Sequence, residues 1–312
     1  PVTDSEVDLV TGSGNSRVHP IPPEELRVFP EDSDIPENEL NTTIDRHFVP
    51  VARVELPGAG KFETWKKALL DELRRVTFRS LPQRIPPALG RAVLEGTTQP
   101  FTTEEGLRVY VKKCRSPEAD PARVVLLVED PDADTPGKLP PRLPDHLVED
   151  EVVYLLQTRG SGESRWTRKD PPNDVERTHV LLGRTVDTGR VWDVLAVAGT
   201  LRRRHGDVPV WLAGRGSAAL LAAQAALLEE SVAGAIVVDP PATFLGDEAP
   251  QFLNVLRVCD VPEILGMLAP RPLVLRGLEA DSSSRVLTIY KAAGAEDNLD
   301  VRAGASPNTK GF

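Results

Sequence analysis

Residues 211–228, WLAGRGSAALLAAQAALL, join an apolar segment to an alanine- and leucine-rich segment through a glycine-containing turn. The residues from Val208 to Ala213 are almost all apolar and predict a buried strand, whereas residues 217–230 predict a buried helix. Gly214 and Gly216 lie between them, and glycine adopts the backbone conformations that tight turns require. We therefore predict a tight strand-to-helix turn at Gly214, Gly216 and Ala218.

Short apolar runs and helical segments alternate in the same way from residue 106 onward. Continuous apolar strands separated by helices are typical of a largely parallel sheet with helices on both faces. We predict a three-layer α/β fold of this kind. The predicted strands are 107–114, 123–130, 151–158, 208–214, 234–239, 271–277 and 298–302, and the predicted helices are 175–204, 217–230, 261–268 and 282–293.

The N-terminal residues 1–60 are rich in proline and acidic residues and show no helix or strand periodicity. Such a composition predicts an extended linker or strap rather than a separate folded domain. We expect residues 15–55 to lie across a surface, with Phe29, Phe48 and Val49 as apolar anchors. An amphipathic helix over 62–78 then begins the second region, 61–312, and packs on its core.

Composition limits the classes of partner and cofactor. The 312 residues carry 37 basic and 47 acidic side chains, for a net charge of −10, which disfavours binding to nucleic acid. The sequence contains no apolar run long enough to span a membrane. Cys114 and Cys259 lie in or beside apolar segments and are expected to be buried thiols. We predict no metal site and no cofactor, and a chain that begins at Pro1 suggests a piece of a longer polypeptide.

Several motifs in a fixed order resemble a known family. QTRGSG (157–162) follows a strand, LLGRTVDTGRVWDV (181–194) leads to the turn at 214–218, and LAPRPLVLRG (268–277) precedes an acidic residue. This order is similar to that of the α/β-hydrolases, and most of all to the acetyl xylan esterase and cephalosporin C deacetylase group. The resemblance implies a serine nucleophile at the apex of a GxSxG turn, an acid after the penultimate strand and a histidine after the last strand.

The residues at those positions depart from the family pattern. The apex is Gly216, and Ser217 comes one residue later, where the helix begins. The candidate acids are Asp281 and Glu279, although we expect Asp281 to be the N-cap of the helix that follows near Ser282. All five histidines precede Asp281, and Lys310 is the one basic candidate in the place of a histidine-bearing turn. The family's oxyanion loop would correspond to a turn at Gly160 and Gly162, with Ser217 contributing its backbone N–H.

Two functional hypotheses follow from the departures. In the first, the triad is degenerate and the domain acts as a scaffold, binding or interface module, beside a preceding hydrolase domain or a second copy of itself. In the second, the chain is an active carboxylic ester hydrolase that uses a displaced serine or a histidine supplied from elsewhere. The resemblance implies a carbohydrate or small ester ligand and an extracytoplasmic location. A dinucleotide-binding loop is disfavoured, because Ala219 replaces the last glycine of GxGxxG.

Overall fold

The computed structural model describes residues 21–44, 51–133, 136–139, 147–165 and 174–302, and it divides the chain into two units, Pro1–Pro50 and Val51–Phe312. In the first unit, residues 21–44 contain two short 3-10 helices, Pro23–Leu26 and Asp32–Asp34, without buried residues. Val28 is 87% exposed and Phe29 is 38% exposed. Phe29 is therefore not a buried anchor, and the other two expected anchors, Phe48 and Val49, lie outside the described residues.

The second unit begins with an extended segment and an amphipathic helix. The backbone N–H of Ala52 donates to the carbonyl of Leu256 at 2.7 Å, and Val54 packs against the core. Helix α1 (Phe62–Val76) follows, close to the predicted bounds, and buries Phe62 and Leu73. It ends when the N–H groups of the next two residues both donate to the carbonyl of Leu73. The last residues of the predicted strap thus belong to the second unit.

Nine strands of the described part of the chain form one sheet. Strands β4 to β9 run parallel to one another, whereas β1, β2 and β3 form an antiparallel edge. The prediction of a mostly parallel α/β fold is confirmed. The strands are β1 (Leu89–Gly90), β2 (Thr98–Glu104), β3 (Leu107–Arg115), β4 (Arg123–Val128), β5 (Glu151–Gln157), β6 (Val210–Arg215), β7 (Gly234–Val238), β8 (Leu273–Arg276) and β9 (Leu299–Arg302), in the order β1-β2-β3-β5-β4-β6-β7-β8-β9.

The remaining helices are α2 (Asp174–Leu181), α3 (Val186–His205), α4 (Ser217–Leu228), α5 (Val261–Gly266) and α6 (Ala280–Ala292). The prediction of one continuous helix over 175–204 is wrong. Gly183, at φ +74°, breaks the helix, and the Oγ1 of Thr185 accepts a hydrogen bond from the N–H of Thr188 at 3.1 Å. A side chain at the first turn of a helix that accepts in this way is an N-cap, so α3 begins anew there.

The two faces of the central strands are both buried. On one face, side chains of β4 and β6 such as Leu126 and Leu212 pack with α1, α3, α4, α5 and α6 in one continuous core. On the other face, Val125 and Leu127 belong to a second cluster. Among the described residues, the partners of this second cluster that lie outside the strands are Leu139 and Leu147, from the connection between β4 and β5.

Both cysteines are free thiols. Cys259 is buried, and burial raises the pKa of its thiol well above the ordinary value, whereas Cys114 is half-buried. None of the described helices is long and apolar enough to cross a membrane.

Candidate binding site at the strand-to-helix turn

The predicted strand-to-helix turn is present and consists of a single residue. Strand β6 ends at Arg215, α4 begins at Ser217, and Gly216 joins them at φ 60° and ψ −132°. This backbone conformation disfavours any residue with a side chain, which explains the glycine. The N–H of Gly216 donates to the carbonyl of Val238 on the neighbouring strand at 2.9 Å. A Cβ at Gly214 would overlap the carbonyl of Ala218, so the close approach of strand and helix requires glycine there too.

A cavity of about 470 Å³ opens beside this turn. Its volume lies in the range of roughly 300 to 1,000 Å³ that is common for small-molecule sites. The described residues that line it come from the ends of β4, β6 and β7, from α2, α3 and the start of α4, and from the segment after β7. They are Asp130, Pro131, Asp132, Glu176, Val180, Thr185, Val186, Asp187, Arg190, Gly216, Ser217, Asp239, Pro241, Asp247, Glu248, Ala249, Pro250 and Gln251.

The charges that line the cavity are mostly negative. Seven of the described lining residues are aspartate or glutamate, and Arg190 is the one basic residue among them. The Nη1 of Arg190 is 2.7 Å from Oδ1 of Asp187, so its charge is already compensated. The other oxygen of Asp187 accepts from the N–H of Gln251 at 2.7 Å. The cavity therefore presents a negative potential to anything that enters it.

Asp130 lies closest to the apex of the turn. Its Oδ2 is 3.3 Å from the position that a Cβ on Gly216 would occupy. Its Oδ1 accepts a hydrogen bond from the N–H of Asp132 at 3.0 Å, which holds the carboxylate in a local turn after β4. A carboxylate oxygen thus occupies the space toward which a side chain at position 216 would point.

Asp239 is the second carboxylate at this edge of the sheet. It follows β7 directly, and its backbone lies in the left-handed region at φ 46°. The Oδ2 of Asp239 accepts from the Nε of Arg215 at 3.0 Å. A Cβ at Gly277 would overlap the other carboxylate oxygen, so the turn after β8 needs glycine to accommodate Asp239. A strained non-glycine residue at a strand end is a feature of functional sites.

Sequence reasoning did not single out Asp130 or Asp239, although a signal was present. Each follows the end of an apolar strand run, LLVED and AIVVD. The carboxyl ends of neighbouring parallel strands meet at one edge of a sheet, where ligands of α/β proteins bind. The family pattern places the acid after the penultimate strand, which corresponds to the turn at Glu279 and Asp281 and not to Asp130 or Asp239.

The structure does not bring the two candidate acids to the cavity. Glu279 precedes α6 and makes no side-chain capping bond, and Asp281 lies within the first turn of α6. Asp281 lines a separate depression of about 390 Å³ with Leu56 and Arg285. Because α6 begins at Ala280, Asp281 is not its N-cap either.

The candidate oxyanion turn also lies elsewhere. Gly160 and Gly162 follow β5, and neither belongs to the described lining of the cavity. Ser161, between them, is buried, and its hydroxyl donates to the carbonyl of Thr158 at 2.8 Å. The position beside the apex is occupied by Asp130 after β4. Ser217 does line the cavity, and its hydroxyl makes no hydrogen bond to the described residues, although a serine at the start of a helix is expected to make a local one.

The two described histidines lie outside the cavity lining. The Nδ1 of His179 is 2.7 Å from the carbonyl of Val175 within α2. The Nε2 of His205 is 3.1 Å from the hydroxyl of Tyr154, and burial lowers the pKa of this imidazole. His19, His47, His146 and Lys310 lie outside the described residues. In the described part of the chain, no group of three or more histidine, cysteine, aspartate or glutamate residues is arranged to hold a metal ion.

A buried ion pair supports α3, which forms part of the cavity wall. The Nε and Nη2 of Arg159 donate to the two carboxylate oxygens of Asp193 at 2.9 and 2.7 Å. Thr103 donates a third hydrogen bond to Asp193 at 2.6 Å, and Glu104 contacts the guanidinium at 2.6 Å. Although burial alone would lower the pKa of Arg159, its pairing with Asp193 and Glu104 raises it. The pair links β2, the end of β5 and α3.

Comparison with solved structures identifies the architecture. A protein from Bacteroides fragilis that is described as an acetyl xylan esterase is similar over 79% of this chain and 76% of its own, with 14% identity and a TM-score of 0.63. A glucuronoyl esterase of carbohydrate esterase family 15 from Caldicellulosiruptor kristjansonii matches 81% of this chain and 85% of its own, with 11% identity and a TM-score of 0.54. The glucuronoyl esterase catalytic domain from Hypocrea jecorina matches 80% of this chain and 78% of its own, with 14% identity and a TM-score of 0.54.

No protein-family model matches the sequence, and no curated protein matches it in a sequence comparison. At 11 to 15% identity the structural matches establish the fold and not the activity. The chain therefore has the α/β-hydrolase fold, in the form found in acetyl xylan and glucuronoyl esterases.

Proposed function

We propose that this α/β-hydrolase-fold domain is a non-catalytic binding module that holds a neutral, hydroxyl-rich ligand of the carbohydrate class in the cavity beside Gly216. The observation that carries the proposal is the carboxylate of Asp130, whose Oδ2 is 3.3 Å from the position of a Cβ at the apex. A second carboxylate, Asp239, lines the same cavity. Carboxylates accept hydrogen bonds from hydroxyl groups, and such bonds are stronger than those between neutral groups.

The same carboxylates oppose ester hydrolysis at this turn. Hydrolysis by a serine nucleophile passes through an oxyanion that backbone N–H groups must stabilise. Two like charges about 4 Å apart repel by about 4 kcal/mol at an effective dielectric constant of about 20. A carboxylate beside the apex would therefore raise the energy of the oxyanion, whereas it would favour a neutral sugar.

The alternative function, an active carboxylic ester hydrolase, depends on Ser217. Its hydroxyl lines the cavity and is free of hydrogen bonds to the described residues. An unassisted hydroxyl is a weak nucleophile at neutral pH and needs a general base. Neither of the described histidines, His179 and His205, belongs to the cavity lining. We therefore favour binding over hydrolysis.

The proposed role also concerns partners and location. A module that binds carbohydrate without cleaving it is useful beside an active hydrolase domain, or in a homo-oligomer that multiplies weak sites. We propose such a partner for this domain and an extracytoplasmic location. Size-exclusion chromatography with light scattering and fractionation of the native host test these two proposals.

The binding proposal is tested by titrating acetylated xylo-oligosaccharides into the isotope-labelled chain and following backbone amide shifts by NMR. We expect saturable shifts at Gly216, Ser217 and Gln251, and we expect the acetyl groups to remain intact after the titration. A Ser217→Phe variant, which fills the cavity, should lose these shifts.

The matched control is Ser284→Phe, at an exposed position of α6. It introduces the same side chain away from the cavity and should leave the sugar-induced shifts unchanged. Thermal melting of both variants verifies that each is folded. Absence of saturable shifts in the parent chain, or an equal loss in the two variants, would overturn the proposed function.

A further inference from the structure

A second pocket lies at the C-terminal end of α1, on residues that do not line the cavity beside Gly216. Its volume is about 310 Å³, and its described lining consists of Glu72, Arg75, Val76, Arg79, Asn254 and Arg257. Three arginines thus meet in one depression of a chain whose net charge is −10. They come from α1, from the residues that follow α1, and from the segment before α5.

The compensation of these three charges is incomplete. Glu72 accepts from the Nε and Nη2 of Arg75 at 2.8 and 2.6 Å. Neither Arg79 nor Arg257 forms an ion pair with a described residue, and the side chain of Arg257 makes one hydrogen bond to the described residues, a long one of 3.5 Å to Oδ1 of Asn254. The hydrogen bonds from Arg75 lower the pKa of Glu72, and the charge of Arg257 acts in the same direction. The pocket therefore carries three positive charges against one negative charge.

The fold holds these residues near one another. The Nδ2 of Asn254 donates to the carbonyl of Val76 at 3.4 Å, and Asn254 is in the left-handed region at φ 62°. The guanidinium of Arg79 lies against the turn that separates α2 from α3, since a Cβ at Gly183 would be 2.6 Å from its Nη2. One arginine at the end of a helix offsets the helix dipole, but that effect does not account for Arg79 and Arg257, which lie outside α1.

We propose that this pocket is a binding site for a tetrahedral oxyanion, the phosphate or sulfate group of a small molecule. Guanidinium groups present paired donors that match tetrahedral oxyanions, and the excess of positive charge in the pocket attracts an anion. The site is independent of the binding function proposed for the cavity beside Gly216. Its residues are exposed enough to exchange a small ligand with solvent.

The proposal is tested by isothermal titration calorimetry of the chain with inorganic phosphate and with sulfate, at constant low ionic strength, with chloride as the reference anion. We expect saturable binding of one equivalent of at least one of the two dianions. The double variant Arg79→Gln/Arg257→Gln should weaken it by about tenfold or more, because two charge-assisted contacts are lost. Which of the two ions binds more tightly identifies the group as phosphate or sulfate.

Two further variants distinguish a specific binding site from nonspecific attraction of anions to arginine. Glu72→Gln removes the one carboxylate and releases Arg75, so it should strengthen binding. Arg203→Gln, on an exposed position of α3, changes the net charge without touching the pocket and should have no effect. Absence of saturable binding, an equal effect of Arg203→Gln and the double variant, or weaker binding by Glu72→Gln would overturn the proposal.

Discussion

Asp193 and Asp130 are carboxylates of the same unit with opposite surroundings. Asp193 is fully buried and accepts hydrogen bonds from Thr103 and from the backbone and guanidinium of Arg159. Asp130 has one local backbone donor, and its other oxygen points toward the glycine apex and the cavity. A charge that maintains the fold is fully paired within the protein, whereas a charge that lines a cavity keeps acceptor capacity for a ligand.

The strongest test of this comparison is the removal of each carboxylate. Asp193→Ala leaves Arg159 buried with Glu104 as its remaining partner, and we expect it to lower the free energy of unfolding by about 3 kcal/mol. Asp130→Ala removes a cavity-lining group and should change the free energy of unfolding by no more than about 0.5 kcal/mol. Urea denaturation followed by circular dichroism measures both. Equal losses would show that Asp130, like Asp193, serves the fold.

The double variant Arg159→Met/Asp193→Leu tests whether the loss of stability comes from the unpaired buried charge. Because it removes both fully buried charges together and leaves only the partly exposed Glu104 without its partner, it should be more stable than Asp193→Ala alone. If the double variant is no more stable than the single variant, the ion pair is not the source of the loss.

A smaller effect is expected from a side chain at the apex of the turn. Gly216→Ala places a Cβ in a disfavoured backbone conformation and should cost about 1 to 2 kcal/mol. Gly206 provides a matched control, because it has nearly the same dihedral angles, φ 61° and ψ −120°, and a Cβ there would meet nothing within 4 Å. Gly206→Ala should therefore report the backbone cost alone.

The difference between these two glycine variants measures the contact with Asp130. We expect Gly216→Ala to be less stable than Gly206→Ala by a few tenths of a kcal/mol, because the carboxylate at 3.3 Å has to shift slightly. When Asp130 is also replaced, in the double variant Gly216→Ala/Asp130→Ala, the alanine at position 216 should cost no more stability than the alanine in Gly206→Ala. If Gly216→Ala were the more stable of the two single variants, Asp130 would not crowd the apex.

The smallest expected effect is a pH dependence at Glu129, the neighbour of Asp130. Burial raises the pKa of Glu129, although hydrogen bonds from the N–H of Gly137 and from Gln157 act against it. The favourable contribution of the protonated acid is complete below the ordinary glutamate pKa and is lost as the pH rises through the raised value. Glu129→Gln should therefore gain stability relative to the parent chain as the pH rises above the ordinary glutamate pKa of about 4. The exposed Glu105→Gln variant should show no such trend in the same denaturation series.

The sequence predicted the parts of the fold that depend on local patterns. The strand, turn and helix around Gly216 and the apolar strands β4 to β9 follow from residue type and periodicity. Strand β2 was missed because Pro100 interrupts its pattern, yet Pro100 lies in an antiparallel edge that tolerates it. Helices α2 and α3 were merged because the break at Gly183 is a single residue inside a helical pattern.

The candidate site was predicted less completely, for a physical reason. Which strand ends meet at one edge depends on strand order, and strand order is not visible in a single sequence. Asp130 and Asp239 are 109 positions apart but line one cavity, whereas Asp281 follows the expected strand and lies in another depression. The pairing of Arg159 with Asp193 also joins an irregular turn to a helix interior, so no local sequence pattern predicts it.

Binding without hydrolysis at the cavity beside Gly216 is tested by p-nitrophenyl acetate turnover together with fluorophosphonate labelling of the parent chain, Ser217→Ala and Gly216→Ser. We expect turnover at the buffer rate and no label for all three, because a restored apex serine still lacks a base and has Asp130 beside it. Turnover by the parent chain that disappears in Ser217→Ala, with stoichiometric label on Ser217, would contradict the proposed function. Hydrolysis by Gly216→Ser well above the buffer rate would contradict it as well, because that serine would then have found a general base.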